Sequence, residues 1–273
     1  MAARIASLHV YPVKSCRGID LQRARLTAAG LEWDRRWMIV DGDGRFVTQR
    51  ENPRLAAIST AIGAGLRLSA AGLPALAIDP AHGGPERRVR IWKDTVTAID
   101  AGEEASDWLL AALGAPLRLV RIPDSALRNA EPAFAGPGPN PVSFADAYPI
   151  LMISRESLED LNRRLPAPLP MNRFRPNVVI EGVPPYAEDA MTEFRFGRVA
   201  FRGVKHCTRC AITTTDQETC VRDASQEPLR TLKGYRYDPM LKGVVFGQNC
   251  VIAAGAGEWL ALGAELTISE CER

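Results

Sequence analysis

The sequence predicts a mainly β protein with some helix, an α+β chain arranged as two β-barrel-like domains. Three observations predict this. Short apolar runs of strand length recur along the chain between Gly, Pro and Asp-Gly turns, and few segments carry a helical period. The chain has 273 residues, 46% of them hydrophobic and 24% charged, enough for two ordinary domains with their own cores. Residues 131–141 (EPAFAGPGPNP) are so dense in Pro and Gly that they read as a long connection, neither helix nor central strand, at or just after a domain boundary. The expected domains are 1–118 and 119–273.

The elements follow in order. Residues 4–13 form an extended apolar run. Trp37-Met38-Ile39-Val40, then Asp41-Gly42-Asp43-Gly44, then Phe46-Val47-Thr48 is a hairpin pattern, because Asp-Gly pairs accept the positive φ of tight turns. Residues 66–78 and 89–99 read as strands, the second broken at Lys93-Asp94. Residues 103–113 read as a helix, with Trp108, Leu109, Ala112 and Leu113 on one face and Gly114 as its stop. Ser154 is placed to cap a helix carrying Leu158, Leu161 and Leu165, which Pro166 ends. A short strand at 177–180, a hairpin around Gly197, a short helix begun by Pro228 and a Gly-broken strand pair over 251–268 complete the chain.

The bulk chemistry excludes some functions. The net charge of +2, from 34 Lys+Arg and 32 Asp+Glu, is too balanced for a general nucleic-acid binder. The opening MAARIASLHVYPVKSC has no signal-peptide core, and no apolar run approaches the ~18 residues of a membrane span. A cytoplasmic location is expected, with no membrane partner. The six cysteines (Cys16, Cys207, Cys210, Cys220, Cys250 and Cys271) are then expected as thiols.

The sharpest chemical signal is Lys205-His206-Cys207-Thr208-Arg209-Cys210. Two thiols at this spacing can be half a zinc site, a redox pair, buried inert cysteines, or reactive or ligating thiols. Zinc needs a second close ligand pair, and the remaining cysteines are scattered. A thioredoxin-like pair opens a helix, and the β-branched run after Cys210 is a poor helix start. Lys205 and Arg209 would favour thiolate. Basic residues gather at element ends: Lys14-Ser15, Arg35-Arg36, and Arg173 with Arg175. The last two are expected on one extended segment, facing the same side. If they converge they suit phosphate; singly, each is an ordinary surface charge. Glu188-Asp189 reads as a turn or surface pair, and Phe246-Gly247-Gln248-Asn249 as a bulge or an amide-presenting turn. The histidines His9, His82 and His206 stand apart, and no Ser-His-Asp arrangement emerges.

Seven motifs in fixed order carry a resemblance: YPVKSC (11–16), DRRW (34–37), FRPN (174–177), YAED (186–189), CTRCAITT (207–214), EPL (227–229) and FGQN (246–249). Together they resemble MOSC proteins with an N-terminal MOSC-associated β-barrel domain, the group that includes the mitochondrial amidoxime-reducing components and their bacterial counterparts. The resemblance implies a molybdenum cofactor (molybdopterin with one molybdenum) in a cleft between the two domains. It implies Cys210 as the metal ligand, with Cys207 as a neighbour. It assigns Lys14, Ser15, Arg35 and Arg175 to the pterin and its phosphate, and Ser154 and Arg209 beside them. The implied activity is reduction of N-hydroxylated (N–O) small molecules, with Asp189 or Glu188 handling protons. Electrons would come from a separate ferredoxin- or cytochrome-like donor and its reductase, since no flavin, haem, iron–sulfur or dinucleotide motif is seen. A membrane anchor or a further ferredoxin-like domain, as in some members, is not expected. The alternative that the resemblance leaves is a molybdenum-cofactor or sulfur carrier without turnover of its own.

Overall fold

A computed structural model describes residues 2–81 and 83–268; His82 and Cys271 lie outside the described residues. Its largest unit is a nine-stranded sheet. From one edge the order is Ile19–Leu21, Arg4–Val10, Val178–Glu181, Ile150–Ser154, Gly243–Ala254, Val199–Thr208, Glu193–Phe196 and Leu266–Ile268, with Tyr237–Asp238 paired beside Gly243–Ala254. Neighbours are antiparallel except Ile150–Ser154 and Val178–Glu181, which run parallel. The helix Arg155–Arg164 makes that crossover. Among the described residues there are four α-helices, so the chain is mainly β with some helix, as the strand-length runs predict.

The first body centres on a four-stranded antiparallel sheet ordered Trp37–Val40, Arg118–Arg121, Asp94–Asp100, Glu86–Ile91. Alternation along Trp37–Val40 sends Trp37 and Ile39 to one core, with Trp108, Leu109 and Leu113 of the helix Glu103–Leu113. Met38 and Val40 go to the other core, with Val89, Ile91 and Phe144. All four strand residues are therefore buried, as expected of a strand covered on both faces. Gly114 stops the helix at φ 74°, its N–H donating to Leu110 O.

Chain order does not divide the sheets as 1–118 and 119–273 would suggest. The strand Arg4–Val10 pairs with Val178–Glu181 in the large sheet, and Arg23–Thr27 pairs with Trp259–Ala261. Residue 118 opens a strand of the first body's sheet. Two local expectations are corrected. The Pro/Gly segment holds a one-turn helix, Pro132–Ala135, because Pro132 sits in the first turn, where its missing N–H costs nothing. Arg173 and Arg175 do not share an extended face. Met171–Arg173 is a 3-10 turn and Arg175 has φ 56°, so their side chains diverge.

Candidate functional site

The chain passes from the large sheet toward the first body twice within residues 11–36, and each of these crossings delivers cations to one place. After the first strand, the Lys14 N–H donates to Trp37 O at 2.8 Å, and Ser15 turns the chain at φ 69°. In the second crossing Arg35, at φ 48°, is clamped by the buried Asp34, whose carboxylate oxygens accept from Nη1 at 2.8 and 2.7 Å. Arg35 Nη2 also donates to Arg175 O at 3.2 Å. The guanidinium groups of Arg35 and Arg175 lie 4.3 and 4.2 Å from the Tyr11 ring centroid, and the Tyr11 hydroxyl donates to Pro176 O at 3.0 Å. One buried tyrosine thus positions two guanidinium groups.

These residues line a cleft of about 430 Å³, whose walls include Lys14, Ser15, Arg35, Arg175, Arg209 and Cys210. Cys210 stands at the start of the 3-10 turn Ala211–Thr214, which leaves its side chain half-buried in the cleft wall. Burial pulls Lys14 down to about 8, against the opposing pull of the Asp146 carboxylate. Burial also lowers Arg175, to about 10. Among the described residues, two buried guanidinium nitrogens, Arg175 Nη2 and Arg209 Nε, have no partner. Unmet buried donors are costly, so this cleft is built to receive acceptor atoms.

Arg50, which nothing in its local sequence singles out, donates to Cys210 Sγ at 3.1 Å. Its loop is held against the second body. Buried Gln49 and Gln217 exchange amide hydrogen bonds at 3.0 Å each, and the Arg222 guanidinium donates to the Gln49 and Arg50 carbonyls. Asp146 accepts from Lys14 and, at 3.2 Å, from the indole of Trp92, whose ring lies 4.9 Å from the Arg50 guanidinium carbon. The Asp146 side chain is half exposed, and Lys14 and Arg50 hold its carboxyl well below the usual carboxylate range. Asn249, from the FGQN segment, lines the same wall, and Gly247 there has φ 84° with Ile153 and the Met152 carbonyl too close to admit a side chain.

Arg209 donates to Cys207 Sγ at 2.9 Å and to Phe174 O at 2.6 Å, so its charge faces the neighbouring thiol and not Cys210. Lys205 faces neither thiol; it pairs with Glu131 at 3.6 Å and lies over Phe134. Two expected site residues do not line the cleft. Ser154 is fully buried as the helix cap, its Oγ accepting from Ser157 N–H at 3.0 Å. Asp189 sits in the 3-10 turn Ala187–Ala190, tied to Arg236. Its neighbour Glu188 accepts from Ser154 N–H and Ser157 Oγ, and burial raises its carboxyl.

The MOSC N-terminal beta barrel domain matches residues 2–116, and the MOSC domain matches residues 139–267. The chain belongs to the MOSC family. Mitochondrial amidoxime-reducing component 1 of Mus musculus is 38% identical over 263 residues, covering 89% of this chain and 76% of that protein. The Homo sapiens protein of the same name is 37% identical over 265 residues, covering 91% and 78%. The molybdenum cofactor sulfurase of Oryza sativa subsp. japonica is 30% identical over 96% of this chain, which spans 35% of that protein.

Proposed function

We propose that this chain is a molybdenum-cofactor-dependent oxidoreductase that reduces N-hydroxylated small molecules, with Cys210 as the metal ligand. One observation carries the reading: a thiol opens into a cleft where two buried guanidinium nitrogens lack partners among the described residues. That donor set fits a group with an anionic tail and a soft metal. The relatives named amidoxime-reducing component support the substrate class. No helix among the described residues is long and apolar enough to cross a membrane. A cytoplasmic location and a separate ferredoxin- or cytochrome-like electron donor complete the proposal.

In this reading Lys14, Ser15, Arg35 and Arg175 hold the pterin and its phosphate, with Arg209 beside them. When bound, the cofactor supplies two-electron reduction of an N–O bond. The chain supplies position and charge. Arg50 orients Cys210 Sγ through its guanidinium hydrogen bond. Asp146 stays ionised and accepts from Lys14 and Trp92, which fixes the rim of the cleft. Lys14, pushed down to about 8, is the cleft group best matched to give up a proton from Nζ near neutral pH. That role replaces the one expected of Asp189.

The test is metal and pterin analysis of the purified protein, followed by turnover of a hydroxylamine with a chemical reductant. Cys210→Ser is expected to abolish turnover with the fold retained, and Cys207→Ser to keep a substantial part of it. The reverse pattern would overturn the ligand assignment. A cofactor or sulfur carrier is the second reading, favoured by the similarity to the sulfurase. Bound molybdenum and pterin without turnover would decide for it.

A further inference from the structure

The segment that delivers Arg35 to the cleft has a second cavity on its other side. Thr27–Ala29 and Leu31–Asp34, with Arg36, Trp37, Pro80, Arg121, Asp124 and Leu127, enclose about 490 Å³, within the range of small-molecule sites. The backbone between the two cavities is unusual. Trp33 has φ 73° and Arg35 has φ 48°, so two non-glycine residues adopt the left-handed conformation two positions apart. A bulky side chain is rare in that region and persists only where surrounding contacts enforce it. Here Asp34 enforces it. Its carboxylate accepts from the Tyr11 N–H and from Arg35, and its carbonyl accepts from Ser143 Oγ. The result places Arg35 in the cleft and Trp33, Arg36 and Trp37 in the wall of the second cavity.

The wall chemistry is specific. Trp33 stacks on the buried Trp37 with ring centroids 5.6 Å apart and planes 9° from parallel, so Trp33 gives the cavity an aromatic ring braced from behind. Leu31 is buried there and Leu127 partly so. Arg36 is committed, donating to Ile122 O at 2.7 Å and pairing with Asp124 at 2.8 Å. Arg121 makes no side-chain hydrogen bond or ion pair among the described residues; burial and then Arg36 lower its pKa, against the opposing pull of the Asp124 and Asp79 carboxylates. Of the acidic residues on the wall, Asp34 and Asp124 are already paired to arginines. Glu32 remains, exposed at the rim, and disfavours a second negative charge on a ligand. We propose that this cavity is a second binding site, for a planar aromatic monoanion whose ring lies along Trp33 and whose carboxylate meets Arg121. The site is independent of the reaction proposed for the cleft.

The probe is naphthalene-2-carboxylate, titrated into the whole protein by calorimetry. Saturable binding with one site per chain is expected. Arg121→Met keeps the aliphatic stem and removes the fork, so it should weaken binding about tenfold or more, the worth of one charge-assisted hydrogen bond. The neutral 2-naphthamide on the unaltered protein makes the same comparison without any substitution, and should bind weaker by a similar factor. Cys210→Ser and saturating inorganic phosphate should leave naphthoate binding unchanged. Absence of saturable binding would overturn the proposal. So would equal affinity for the acid and the amide, equal affinity of the Arg121→Met protein, or competition by phosphate, which would place the probe in the cleft.

Discussion

Lys14 shows how one residue turns burial into a pH response. Its Nζ donates to Phe144 O at 2.8 Å and to the Asp146 carboxylate. Burial lowers its pKa to about 8, while Asp146 pulls the other way. Below that value the ammonium adds a positive charge to the cleft; as pH rises through it, the charge is lost and the hold on an anion weakens. Arginine keeps its charge over this whole range. Pterin retained per chain after dialysis should therefore fall between about pH 7 and about pH 9 in the natural protein. It should not fall in Lys14→Arg. Equal retention by the natural protein at both ends would show that Lys14 does not titrate against the bound anion. Arg50 makes the complementary point about reach. It meets Cys210 from 160 positions away, and no local pattern in Thr48-Gln49-Arg50-Glu51 announces that contact.

At the scale of elements, the helix Arg155–Arg164 separates scaffold from site. Ser154 caps it and, with Ser157, surrounds the buried Glu188. Ser154→Ala removes the cap acceptor and should cost about 1 kcal/mol of stability. Pterin occupancy and turnover per folded chain should be unchanged, because Ser154 does not line the cleft. A loss of pterin without a drop in melting temperature would return Ser154 to the site. This residue also marks what local sequence can convey. Its cap was readable because capping needs only the N–H groups of the next turn, and Gly114 was readable as a helix stop for the same local reason. Lys14, Ser15, Arg35, Arg175, Arg209 and Cys210, which the motifs single out, meet in one cleft. The direction each side chain takes was not readable. Arg209 reaches Cys207, and Arg173 turns away to Asp216 because the 3-10 turn Met171–Arg173 and the positive φ of Arg175 break the two-residue alternation of a strand. Asp146 and Trp92 were missed because only the packing of the two bodies brings them to Lys14 and Arg50.

The whole molecule is two bodies sewn together by their own chain. The first strand completes the large sheet, and a later segment of the same stretch, Arg23–Thr27, pairs with Trp259–Ala261. Only then does the chain enter the first body's sheet at Trp37–Val40. Phe144, from beyond the Pro/Gly connection, packs in the core of that first sheet. Polar contacts cross at the same place: the Gln49–Gln217 amide pair, Arg17 with Glu218 at 2.9 Å, and Ser143 Oγ with Asp34 O at 2.8 Å. Separating the bodies would leave several buried donors and acceptors unmet, the Gln49–Gln217 amides and the Ser143 hydroxyl among them, each costing of order 1–3 kcal/mol. Chains of two domains commonly unfold in steps, but the N-terminal stretch held by the large sheet and Phe144 in the first body's core couple these two. A calorimetric scan of the natural protein should therefore show one transition, with calorimetric and van't Hoff enthalpies in agreement. Two resolved transitions would mean that either body is stable without the other. The cleft between them would then depend on docking, and not on the woven strands that position Lys14, Ser15 and Arg35.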